Sequence, residues 1–117
     1  MTNPTPSHPQ LYALLIGVDY YTGNEAPDGA VYESLNGCVN DVLGVQKLLQ
    51  QRLKLDDARL FKLTATNLGL GVKEKPDAQP TRKNIIAAFD TLTNTAQAGD
   101  QIYIHYAGHG GRAVTIY

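Results

Sequence analysis

The sequence predicts an α/β fold, an open and mainly parallel sheet with flanking helices. Three observations carry this. Strand-like and helix-like patterns alternate in the order β-α-β-α-β-turn-β, which implies a parallel sheet with helices on its faces. The first apolar segment, Leu11 to Val18, is a near-continuous run, as a strand covered on both faces must be. The 117 residues, 43% of them hydrophobic, are enough for one domain with one core.

The elements follow in chain order. Residues 1–10, with Pro4, Pro6 and Pro9, read as a disordered lead, and residues 11–117 as the domain. After the first strand, residues 22–36 are polar and turn-rich, a long loop of the kind that is usually functional or disordered. A helix is predicted from about Asn40 to Leu53. Val42, Val45, Leu48, Leu49 and Leu53 fall on one helical stripe, with Asn40 or Asp41 as its cap or a first-turn residue. Ala58 to Thr64 reads as a short second strand. Residues 66–80 form another loop, in which Lys73-Glu74-Lys75 reads as a solvated charge run. A second helix starts at Thr81 behind Pro80, turns Ile85, Ile86, Phe89 and Leu92 inward, and is stopped by Gly99-Asp100. Gln101 to Tyr106 is a third strand, running into Ala107-Gly108-His109-Gly110-Gly111-Arg112. Ala113 to Tyr117 is apolar and β-rich, and reads as a fourth strand cut short.

Composition excludes several function classes. Ten Lys+Arg against eleven Asp+Glu leave a net charge of −1, with no basic footprint for nucleic acid and no polybasic patch for anionic lipid. No run of about 18 apolar residues offers a membrane span. A single cysteine rules out an internal disulfide framework and fits a reducing compartment. The polar start lacks the apolar centre of a secretory signal, so a cytoplasmic location is expected.

Physical reasoning then locates a site. In open α/β sheets, ligands bind beyond the carboxyl ends of the strands where strand order switches. With the first strand central, that switch lies between Val18-Asp19-Tyr20 and the turn Tyr106 to Gly111, with the helix start near Cys38 on the same rim. Three glycines around His109 leave its imidazole uncovered, and histidine transfers protons near neutral pH. A glycine turn with a merely exposed histidine is the plainer reading. His105 and His109 are about 13 Å apart at strand rise, too far to share one metal ion, so His105 reads as a core or sheet-face residue. Cys38 near a helix N-terminus is either an activated thiol or a small buried apolar residue. Asp41 is either a helix cap or a carboxylate aimed at a cationic ligand. Tyr20 and Tyr21 read as rim packing. Gly69-Leu70-Gly71 lacks the Lys-Ser/Thr ending and spacing of a phosphate loop.

Three segments resemble a known family. Tyr12-Ala13-Leu14-Leu15-Ile16-Gly17-Val18-Asp19-Tyr20 is similar to the first strand of the caspase-like cysteine peptidases. Leu35-Asn36-Gly37-Cys38-Val39-Asn40-Asp41-Val42 resembles the segment that follows in metacaspases, and Asp100 to Gly111 resembles the strand and turn bearing their catalytic histidine. The segments occur in the right order and span nearly the whole chain from Leu11. The resemblance is to metacaspases and their prokaryotic relatives more than to animal caspases. It implies a caspase-haemoglobinase-like fold, truncated at the fourth strand. It implies that His109 is the dyad histidine and that the backbone N–H of Gly110 is an oxyanion donor. Cys38, Asp41 and Ala107 would line the pocket for the residue before the cut bond, and a carboxylate there suits Arg or Lys. Metacaspases often have serine where this chain has Ala107.

The family's nucleophilic cysteine lies further along, in an Asp-x-Cys context that these 117 residues do not contain. The expectation is therefore an amino-terminal fragment of a cysteine endopeptidase. It needs no cofactor of its own, leaves any calcium dependence to residues outside it, and is completed by a following segment or second chain carrying the nucleophile. Its substrate would be a protein or peptide with a basic residue. The alternatives are a catalytically inactive caspase-like scaffold or interaction domain, Cys38 itself as the nucleophile, and a nucleotide-binding α/β module.

Overall fold

The computed structural model describes residues 9–21, 29 and 33–110. The expected fourth strand and most of the expected lead and first loop lie outside the described residues. Within them, the chain runs β1 (Leu11–Val18), α1 (Cys38–Arg52), β2 (Leu60–Ala65), α2 (Arg82–Thr95) and β3 (Gln101–Ala107). The three strands form one sheet in the order β2-β1-β3, with both pairings parallel. Leu14 is central, facing Phe61 on one side and Ile104 on the other.

Alternation along β1 builds two cores, one on each face. Tyr12, Leu14 and Ile16 pack with Leu63, Ala88 and Leu92 under α2. Ala13 and Leu15 pack with Val42, Leu49 and Leu55 under α1. The period-two strand thus feeds both helices, which explains its unbroken apolar sequence. The chain steps from β1 to β2 in one direction and from β2 to β3 in the other. With crossovers of one hand, the two helices must lie on opposite faces, as they do.

Several boundaries and burials differ from expectation. Helix α1 starts at Cys38 rather than Asn40; Asp41 falls in its first turn, and neither Asn40 nor Asp41 caps it. The N-cap position is Gly37, which has no side chain to offer. Instead the carboxylate of Asp19, at the end of β1, accepts hydrogen bonds from the N–H groups of Cys38 (2.8 Å) and Val39 (3.2 Å). These are two of the donors that a helix start leaves unpaired. Ala58 and Arg59, expected to open the second strand, belong instead to a short 3-10 turn, Asp57–Arg59, that Asp56 caps through the Ala58 N–H. Leu48 and Leu53 on α1, and Ile86 and Phe89 on α2, are exposed rather than inward. At the other end of α2, the Thr81 hydroxyl accepts from the Asn84 N–H, a cap of the usual Ser/Thr kind.

The second loop is more ordered than its composition suggests. Asn67 and Val72 form an antiparallel bridge, and Pro76–Ala78 a 3-10 turn. Glu74 is not part of a solvated charge run. Its carboxylate accepts from the Thr66 N–H (2.9 Å) and the Thr66 hydroxyl (2.7 Å). Burial opposes ionisation of Glu74, but these bonds and one from Thr64 outweigh it and hold the carboxyl below its usual range. At the amino edge, Gln10 is tied into the sheet. Its N–H donates to Asp100 Oδ1 (2.8 Å), and its carbonyl accepts from the Gln101 N–H (2.9 Å). Among the described residues no helix is long and apolar enough to cross a membrane.

Candidate active site

The strand order puts the carboxyl ends of β1 and β3 side by side, at the switch point expected from the sequence. The start of α1 joins them there. Gly17 is the contact that permits it. A Cβ at Gly17 would lie 2.8 Å from Val42 Cγ2, 3.0 Å from the Cys38 carbonyl oxygen and 3.3 Å from Val39 Cα. Bare backbone on β1 therefore lets the first turn of α1 rest directly on the strand. Ala107 pairs with Gly17, so its methyl projects to the same α1 face. Asp41 follows Cys38 by three residues on the helix, a spacing that puts both on one side. Three of the expected pocket residues thus share one rim: Cys38 partly buried, Ala107 partly buried and Asp41 exposed.

The environment of Cys38 bears on one alternative. A helix N-terminus alone would favour the thiolate. Burial pushes the Cys38 thiol up instead, reinforced by the Asp19 charge, a hydrogen bond to Asp19 and the charge of Asp41. The anion that caps α1 also neutralises the attraction of the helix end for a thiolate. These effects favour the protonated thiol over an activated nucleophile at Cys38.

His109 sits just beyond β3 and is held from several directions. Its Nε2 lies 2.6 Å from the carbonyl oxygen of Glu33. A carbonyl only accepts, so Nε2 carries the hydrogen and Nδ1 keeps the lone pair in the neutral ring. The Glu33 segment is itself laced to the end of β1: the Leu35 N–H donates to the Asp19 carbonyl (2.6 Å) and the Tyr21 N–H to Ser34 Oγ (3.3 Å). The His109 N–H donates to the Tyr21 hydroxyl (2.6 Å), and the Tyr106 hydroxyl donates to the His109 carbonyl (2.7 Å). The Tyr21 and His109 rings are 4.9 Å apart and tilted by 53°. Tyr21 is therefore more than rim packing. Gly110 lies exposed past the histidine, with no described atom within 4 Å of where a Cβ would be.

Two hollows lie apart from the His109 side chain. A pocket of about 530 Å³ opens between the start of α1 and the end of β2, where Asp19, Asn40, Lys62, Thr66 and Glu74 line it and His109 does not. A second, of about 490 Å³, lies on the α2 face and shares Tyr21 and Tyr106 with the histidine turn. His105 projects to the α1 face opposite Leu15, and its buried Nε2 has no hydrogen-bond partner among the described residues. Among the described residues no group of three or more His, Cys, Asp or Glu side chains could hold a metal ion.

Sequence reasoning missed Asp19, the Glu33 carbonyl and the two tyrosine hydroxyls. Asp19 had a signal: a helix opening after glycine, with no capping side chain of its own, needs an acceptor from elsewhere. A main-chain carbonyl such as that of Glu33 leaves no trace in residue type.

Comparison with known proteins decides the family. A family model described as "Metacaspase, peptidase C14 domain" matches residues 12–116. The chain belongs to the metacaspase family. Metacaspase-1 of Mycosarcoma maydis is 39% identical over 103 residues, which cover 86% of this chain and 21% of that protein. Metacaspase-1 of Schizosaccharomyces pombe is also 39% identical over 103 residues, covering 86% of this chain and 20% of its own length. Metacaspase-1B of Aspergillus terreus is 35% identical over 100 residues, 86% of this chain and 23% of that protein. The chain thus spans about a fifth of the length of these metacaspase relatives. Its parallel sheet with a helix on each face is a caspase-like α/β fold.

Proposed function

We propose that this chain supplies the histidine and part of the substrate pocket of a cysteine endopeptidase that cuts after Arg or Lys. The observation that carries the reading is the tethered imidazole. With Nε2–H bound to the Glu33 carbonyl, Nδ1 is the nitrogen that takes the proton from an incoming thiol and later returns it to the leaving amine. The N–H of Gly110, the residue after His109, is assigned to the developing oxyanion. Asp41 is assigned to the cationic side chain before the cut bond, with Cys38 and Ala107 as the pocket wall.

The nucleophile is assigned to a segment or second chain beyond these residues, in Asp-x-Cys context. The raised affinity of the Cys38 thiol for its proton supports that assignment. Any calcium dependence is assigned to residues outside this chain. The test is reconstitution of this chain with the Asp-x-Cys segment, assayed on Arg, Lys and Asp amide reporters. The expected result is hydrolysis of the basic reporters, abolished by His109→Ala and retained by Cys38→Ser. Absence of hydrolysis, or its loss in Cys38→Ser with the fold intact, would overturn the proposal.

A further inference from the structure

We infer that Tyr21 and Tyr106 form a hydrogen-bonded clamp on the His109 main chain and act as positioning residues for its imidazole. The inference deepens the proposed function and rests on His109 being the acid–base group.

The clamp brackets Gly108. The His109 N–H donates to the Tyr21 oxygen, and the Tyr106 O–H donates to the His109 carbonyl. Both polar groups of the His109 peptide backbone are therefore held. One tyrosine lies just past β1 and the other on β3, so the clamp ties the histidine turn to the two strands that flank the switch point. The Tyr21 ring lies against the imidazole as well.

Gly108 shows how closely the clamp is built. A Cβ there would lie 2.7 Å from the Tyr106 hydroxyl, 2.7 Å from the Tyr21 hydroxyl and 3.0 Å from Tyr106 Cζ. A hydroxyl at the end of a side chain can ordinarily move aside. These two cannot do so without breaking their bonds to His109. Burial pushes the Tyr106 phenol up to about 12, helped by the hydrogen bond and charge of Tyr21 and by the charge of Cys38, so the proton that holds the His109 carbonyl stays in place through the neutral range.

The backbone tether complements the ring tether. The Glu33 carbonyl fixes one ring nitrogen, but a ring on a drifting main chain would still miss its reacting partner, and misplacement by about 1 Å can cost on the order of a hundredfold in rate.

Two arms test this. In the chain itself, amide hydrogen exchange at His109 is followed by NMR. Tyr21→Phe keeps the ring and removes the acceptor, so exchange at His109 should accelerate about tenfold, the scale of one hydrogen bond. Gly108→Ala should do the same while leaving all three side chains in place. In the reconstituted peptidase, Tyr21→Phe and Tyr106→Phe should each lower kcat about tenfold with KM unchanged, because the loss is of alignment and not of substrate contact. Unchanged exchange at His109 in both Tyr21→Phe and Gly108→Ala, or a rise in KM at constant kcat, would overturn the clamp. If the wild-type complex hydrolyses nothing, the peptidase reading falls, and the exchange arm still decides whether the clamp exists.

Discussion

Replacing Asp19 should weaken the fold and sharpen a thiol in the same variant. Asp19 is only 4% exposed, and its two oxygens take the N–H groups that open α1 at 2.8 and 3.2 Å. Asparagine keeps the shape but offers one acceptor and presents its NH₂ to the other donor. It also removes the anion from the positive end of the helix. A hydrogen bond to a charged group contributes about 1.5–3 kcal/mol and the helix-end charge about 0.3–1 kcal/mol, so Asp19→Asn should cost roughly 2–3 kcal/mol. At a urea dependence of about 1.5 kcal/mol per molar, the unfolding midpoint should fall by about 1.3–2 M. Burial and the Asp19 carboxylate together push the Cys38 thiol up. Without the carboxylate the thiol should ionise more readily, and alkylation of this only cysteine by iodoacetamide at pH 8 should speed up. Leu92→Ala is the control. Leu92 is 2% exposed on the opposite face, and its truncation should cost about 2–5 kcal/mol without raising the alkylation rate under conditions where both variants stay folded. A midpoint shift below about 0.3 M would refute the cap, since that is worth under about 0.5 kcal/mol. Destabilisation with no faster alkylation than the Leu92→Ala control would refute the electrostatic account of Cys38.

Two further predictions follow from the rim and the second loop. Gly17→Ala puts a methyl 2.8 Å from Val42 Cγ2 and 3.0 Å from a helical carbonyl that cannot rotate away, so it should lower stability by about 1–3 kcal/mol in urea unfolding; a neutral result would mean that α1 sits further off the sheet. Glu74→Ala should cost about 2 kcal/mol at pH 7 by stranding the Thr66 N–H and hydroxyl. The folded Glu74 carboxyl lies below its ordinary 4.5, so its contribution is full above that value and fades as pH falls through the lower folded one. The gap between wild type and Glu74→Ala should therefore close on acidification, and a gap that widened there would contradict the assigned direction.

The sequence made the order of the described elements, the central place of the first strand and the switch point between β1 and β3 legible, because each rests on local apolar pattern or on a rule about sheets. The partners of His109 were not legible. Tyr21 is 88 residues away from it in sequence, and Glu33 is 76. Only the folded β2-β1-β3 order brings them to the histidine turn. The cap of α1 failed for the same reason. Local reading looks for Ser, Thr, Asp or Asn beside the helix start, and Asn40 and Asp41 satisfied that search from inside the helix. The acceptor came from Asp19, at the end of a strand that packs against that helix.

Burial was misjudged on both helices, and the misses share a cause. Periodicity reports which side of a helix is apolar, not how wide a strip one sheet covers. On α2, Ala88 and Leu92 reach the β1 and β2 core while Ile86 and Phe89 flank the contact. On α1, Val42 and Leu49 are central while Leu48 and Leu53 lie outside it. Strand β3 shows the same limit in the sheet: its register partners on β1 are buried, yet Ile102, Ile104 and Tyr106 are exposed. A helix contacts little more than two strands at a typical interaxial reach of about 10 Å, against strands about 4.8 Å apart. Helix α2 spends that reach on β2 and β1. The exposure of Tyr106, 51% overall, makes the bond from its hydroxyl to the His109 carbonyl the directional contact that fixes the end of this side chain. Position at the histidine turn is therefore set by polar contacts of defined direction rather than by apolar filling, which tolerates small displacements that a hydrogen bond does not.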